Sequence, residues 1–264
     1  MKKIKELLMK IEVRTILKPM VMVVLLSFVY NYAYMCLSLY RTVGPSALIT
    51  TLQVVLSLLS ALGFYWTCTA VWTQRVKKFS IYQGIMVLLG QGVLICVVSG
   101  LLGNFYAYAI DHTNFLLVEQ LLSALVLISW VPLQLLYYYA LFLGKKGKDI
   151  FIYMFEVLKK KQKTILNWYC ALLILIIVID TLTQGAFSIL RGFDAYSILF
   201  GTVYLGNPMV QWMMSLLWVA NMELQTVFML AFEFFVIGVF YMILELNYIR
   251  FIQRKCYEYE SQSH

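Results

Sequence analysis

Two carboxylic acids stand deep inside long apolar runs of this 264-residue chain. Glu233 lies among Phe228, Met229, Leu230, Phe232, Phe234, Phe235 and Val236, and Asp180 lies within the run 164–187. An acid in such surroundings either exchanges a proton or holds a cation or a cationic substrate group, or it stays protonated and hydrogen-bonded to a neighbour. Gln91, near the middle of another apolar run, and Gln184, one turn beyond Asp180, carry amides suited to that bond. Glu233, Asp180, Gln91 and Gln184 therefore form the candidate polar site. No lysine or arginine lies in these runs to pair with either acid.

Other chemistries find no footing. Cys36, Cys68, Cys96, Cys170 and Cys256 show no C-x-x-C spacing, and His112 and His264 are the two histidines, so no metal site is predicted. There is no nucleophile with an evident base and no G-x-x-x-x-G-K-[ST] phosphate loop. The chain is read as a non-enzyme without a cofactor, and any ATP-driven work requires a separate subunit. Its net charge of +8 does not imply nucleic acid, because the cations cluster beside apolar runs, where anionic lipid headgroups account for them.

The elements that must hold the acids follow from composition. Hydrophobic residues make up 62% of the chain and charged ones 13%, far from the balance of a soluble domain. The expected fold is all-α, a polytopic membrane bundle with six crossings at about 20–40, 48–72, 81–103, 115–143, 164–187 and 222–249. At 1.5 Å per residue, Glu233 then lies roughly 10 to 16 Å and Asp180 about 10 Å from the outer ends of their crossings. With this arrangement nineteen of the twenty-one lysines and arginines fall on one side, leaving Arg41 and Arg191 opposite. That asymmetry predicts cytoplasmic N- and C-termini in a bacterial cell membrane.

Between the crossings, residues 1–18 place Ile4, Leu7, Leu8 and Ile11 on one helical face, as an in-plane helix on the cytoplasmic leaflet would. Phe151, Met154, Phe155 and Leu158 repeat the pattern and predict a second in-plane helix. Lys159, Lys160, Lys161 and Lys163 follow it, to dock on anionic lipid or on a cytosolic partner such as an ATPase. The apolar outer segment 196–220 is expected to be re-entrant or interfacial, and 251–264 a cytoplasmic tail. Gly92, Cys96 and Gly100, four residues apart, suit close helix packing, and Pro132 is a candidate hinge in the fourth crossing.

In the order of its parts, with an in-plane N-terminal helix, six crossings and an apolar outer segment before the last, the chain resembles the permease subunits of ABC-2 type exporters. The likeness is one of layout and rests on no residue motif. It implies export with an ATPase partner docked through the loop between the second and third crossings. Here that loop is short, and the large basic loop comes two crossings later. The expected role is transport or export, as a permease or an accessory subunit, with a cytosolic ATPase or further copies of the chain as partners. The competing expectation is a non-transporting scaffold, immunity or assembly factor.

Overall fold

In the computed structural model, residues 19, 21, 22, 25, 29, 33, 36, 46–73, 80–97, 103–112, 115–182 and 224–263 are described, and among them there is helix and no strand. Among the described residues the helices with defined bounds are, in order, α1 Ser46–Thr73, α2 Ile81–Val97, α3 Gly103–Asp111, α4 Leu116–Phe142, α5 Lys148–Leu182 and α6 Leu224–Ser263. The N-terminal stretch 1–18, the segment 196–220, Gly100 and Gln184 lie outside the described residues.

Local sequence explains where several helices begin and end. Ser80 and Gln83 form a reciprocal capping box at the start of α2: the Ser80 amide donates to Gln83 Oε1 at 3.0 Å and the Gln83 amide to Ser80 Oγ at 3.2 Å. The remaining Gln83 amide nitrogen donates to the Leu141 carbonyl at 2.8 Å, which ties the start of α2 to the end of α4. α4 runs through the buried Pro132 and closes at Gly144, whose φ of 79° is open to glycine at little cost. The Gly144 amide bonds Leu141 O and the Lys145 amide bonds Ala140 O, a Schellman stop that reverses the chain into α5.

Two helices are longer than the sequence pattern suggests. α5 is continuous for 35 residues, so the amphipathic stretch before Thr164 is its first part and not a separate in-plane helix. The reason is local: no glycine or proline interrupts residues 148–182, and the lysine run consists of good helix formers. Helix α6 likewise continues for 40 residues to Ser263, so 251–263 is helical. That extension is held from the side. Ile150, Tyr153, Val157 and Ile165 of α5 and Ile249, Ile252, Cys256 and Tyr259 of α6 are buried in one core.

The α5 and α6 helices run antiparallel, since Tyr153 meets Glu260, Trp168 stacks on Phe251 at 5.2 Å and Tyr248 donates to the Ile165 carbonyl at 3.4 Å. The end of α1 docks on the same pair. Trp72 Nε1 donates to the Ile249 carbonyl at 3.1 Å, and Gln253 Nε2 returns a bond to the Trp72 carbonyl at 3.2 Å. The Trp72 ring sits edge-on to Tyr139 at 5.1 Å, so α1, α4, α5 and α6 share one aromatic core at this end of the bundle.

Away from that core, apolar side chains face outward in stripes. Leu48, Leu52, Val55 and Leu59 on α1 and Ile81, Ile85, Leu89 and Val93 on α2 are exposed, Ile81 at 84%. Among the described residues, Ala47–Thr73 is long and apolar enough to cross a membrane, and Ile81–Cys96 is apolar but shorter.

Candidate functional site

The two acids fall on the two helices that pair. Asp180 is in the last turn of α5 and Glu233 in the third turn of α6. From the contact between Tyr248 and Ile165, Asp180 lies fifteen residues on (165 to 180) and Glu233 fifteen residues back (248 to 233). Equal steps along antiparallel helices end at the same height, about 22 Å from that contact at 1.5 Å per residue.

The third candidate, Gln91, is buried at the α1–α2 contact and donates through Nε2 to Ser57 Oγ at 3.1 Å. A buried amide that donates across two helices acts as a polar clip between them. The small-residue series occupies the other side of α2. A Cβ built on Gly92 meets nothing within 4 Å, and Cys96 is exposed. Close packing on α2 occurs at Gly90, where a Cβ would stand 3.0 Å from Tyr137 Cε1. Tyr137 is held there by donating its hydroxyl to the Met86 carbonyl at 2.6 Å.

The four lysines divide. Lys161 turns to α6, 3.7 Å from a Glu258 carboxylate oxygen and bonded to Gln262 Oε1 at 3.2 Å. Lys160 lies over the Tyr259 ring at 4.8 Å. Lys159 and Lys163 are exposed and open to anionic groups. Glu258 also takes Lys255 at 2.7 Å on both oxygens, and that hydrogen-bonded ammonium, with Lys161 behind it, holds its carboxyl below the usual range. Nearby, burial pushes the Cys256 thiol up to about 12 and the Tyr153 phenol well above its ordinary value. The hydrogen bond to Glu156 raises Tyr259. These shifts favour a neutral thiol and neutral phenols at physiological pH.

Three residues outside the candidate polar set prove to be placed for binding or packing. Ser57 completes the Gln91 clip, while Trp130 and Gln134 line a cavity between α2, α4 and α5. The signal for the last two was a tryptophan and a glutamine one turn apart in an apolar run, visible only as isolated polar interruptions. The stripe Phe151, Met154, Phe155 and Leu158 lines the same cavity. Among the described residues, no group of histidine, cysteine, aspartate or glutamate is arranged to hold a metal ion. The described geometry thus offers hydrogen bonding, apolar contact and helix pairing. No protein-family model, curated protein or solved structure matches this chain.

Proposed function

We propose that this chain is a six-crossing membrane protein with both termini in the cytoplasm, acting in transport or export as a permease or accessory subunit. The observation that carries the reading is the antiparallel register of α5 and α6, which sets Asp180 and Glu233 at one height on adjacent helices. Two acids at one level on neighbouring apolar helices suit a proton, a cation or a cationic group in passage. The exposed apolar stripes of α1 and α2 support the membrane setting, because contiguous apolar surface of that kind calls for lipid or a partner. Lys159 and Lys163 meet anionic headgroups or the acidic surface of a cytosolic subunit.

Reconstitution into vesicles under an imposed pH gradient tests the role of the acids. Proton flux through the full chain is expected to exceed that of the Glu233→Gln and Asp180→Asn variants by at least tenfold, followed with an entrapped pH-sensitive dye. Flux equal in all three, or no higher than in protein-free vesicles, would sink the coupling role. The scaffold reading is favoured by one observation, the continuous aromatic packing of Trp72, Tyr139, Tyr248 and Phe251 between α1, α4 and α6. A null flux result together with stable co-purification of another membrane protein would select it.

A further inference from the structure

The cavity between α2, α4 and α5 has a volume of about 390 Å³, within the range of roughly 300–1,000 Å³ common to small-molecule sites. Its surface is almost wholly apolar, and Met86, Leu89, Phe151, Met154, Phe155 and Leu158 form much of it. The polar atoms behind that wall take no part. Trp130 Nε1, Gln91 Oε1 and Gln134 Oε1 are closed off from the cavity, and the Tyr137 hydroxyl is bonded to the Met86 carbonyl. The part of a ligand that enters here is therefore hydrocarbon.

The rim of the cavity has a different character. It lies beside Leu89 and Val93, which belong to the outward apolar stripe of α2, and beside Phe155, which is 70% exposed on α5. Along α5, Lys148, Phe155 and Lys159 stand at i, i+7 and i+11, which places them in one row of the helix. Both lysines are exposed, and Phe155 lies between them. Lys159 is one turn beyond Phe155 and next to Leu158 of the wall, so its stem starts at the rim. The acids of this part of α5 belong to another side of the helix, where Asp149 and Glu156 line a separate groove with Tyr153 and with Glu260 of α6. Positive charge thus flanks the apolar cavity, and the negative charge is directed elsewhere.

We infer that this cavity holds one acyl tail of an anionic phospholipid, with the phosphate outside it, over Phe155 and between Lys148 and Lys159. Both ends of such a molecule are answered, the hydrocarbon by the wall and the negative charge by the ammonium groups. The acidic helix of a protein partner, about 10–12 Å across with its side chains, is too wide for the cavity. An extended peptide would leave its amides unbonded against an apolar wall. The inference rests on the membrane setting of the proposed function and deepens it, and it is independent of any proton role for Asp180 and Glu233.

The test uses the full chain in detergent, with tritiated dioleoyl phosphatidylglycerol as probe and phosphatidylcholine of the same acyl tails as competitor. Saturable binding is expected, with the anionic lipid preferred. Lys148→Gln and Lys159→Gln should each lower that preference by about fivefold while leaving phosphatidylcholine binding unchanged. Lys146→Gln, which removes the same charge from the turn before α5, should leave the preference intact. Met154→Trp, which fills the cavity, should abolish binding of both lipids. The inference is overturned if no saturable binding is seen, if the two lipids compete equally, if neither α5 lysine variant lowers the preference, if Lys146→Gln lowers it as much as they do, or if Met154→Trp binds as wild type. It is also overturned if decaglutamate displaces the probe as well as unlabelled lipid does, which would assign the lysines to an acidic protein partner. Folding of each variant is verified by its elution and circular dichroism. Extraction of membranes with alkaline carbonate reports the setting separately: release of the protein would sink the membrane reading, whereas retention without lipid preference would sink this inference alone.

Discussion

Ser57 and Gln91 show what a single polar pair does in an interior this apolar. The Gln91 amide is buried, and its Nε2 bond to Ser57 Oγ joins α1 to α2. Removing only the serine hydroxyl leaves that donor in apolar surroundings, whereas removing both partners leaves nothing unsatisfied. Ser57→Ala is therefore expected to destabilise the protein by about 1–3 kcal/mol. Adding Gln91→Leu should recover a large part of that loss, as read from thermal denaturation in detergent. A double variant as unstable as the sum of the two single ones would show that the pair does not act as a unit. The same asymmetry makes Gln134 and Trp130 notable, since there the unmet groups are already present in the protein.

At the level of an element, α2 carries two neighbouring glycines of opposite consequence. Gly92 faces open space, so Gly92→Ala should leave stability unchanged or raise it by up to about 1 kcal/mol through helix propensity alone. At Gly90 the new methyl would stand 3.0 Å from the Tyr137 ring, which is clamped by its bond to Met86 O and cannot easily move away. Gly90→Ala is expected to fall below Gly92→Ala by roughly 1 kcal/mol or more, as overpacking does. Equal melting temperatures for the two variants would refute the close α2–α4 contact. The four-residue series of small residues was legible in the sequence. Which glycine touches a neighbour was not, because spacing defines a helical face without saying what that face meets. The same limit applies to α5. Periodicity identified its amphipathic start, but a polar run of good helix formers does not end a helix, so the segment continues unbroken to Leu182.

At the scale of the whole molecule the pairing of α5 with α6 matters most, because it relates residues more than fifty positions apart in the chain. In a background with the native cysteines replaced, Asp180→Cys and Glu233→Cys in one chain are expected to cross-link with a short bis-maleimide. Asp180→Cys with Ile243→Cys, ten residues further along α6 and so about 15 Å away, should not. Cross-linking of the second pair in preference to the first would overturn the register. From composition and periodicity alone, the chain declares an all-helical fold, and its two acids stand out as costly in apolar surroundings. Both are properties of local sequence, since every residue reports its own polarity and its own helical face. Only the tertiary structure decided that α5 and α6 run side by side, that Gln91 is met by Ser57, and that Trp130 and Gln134 line a cavity. Each of these depends on which faces of separate helices come into contact, and that choice is made by packing between elements, where hydrophobic pattern is silent about the partner. Glu233 was conspicuous from the outset, but its shared height with Asp180 belongs to the fold.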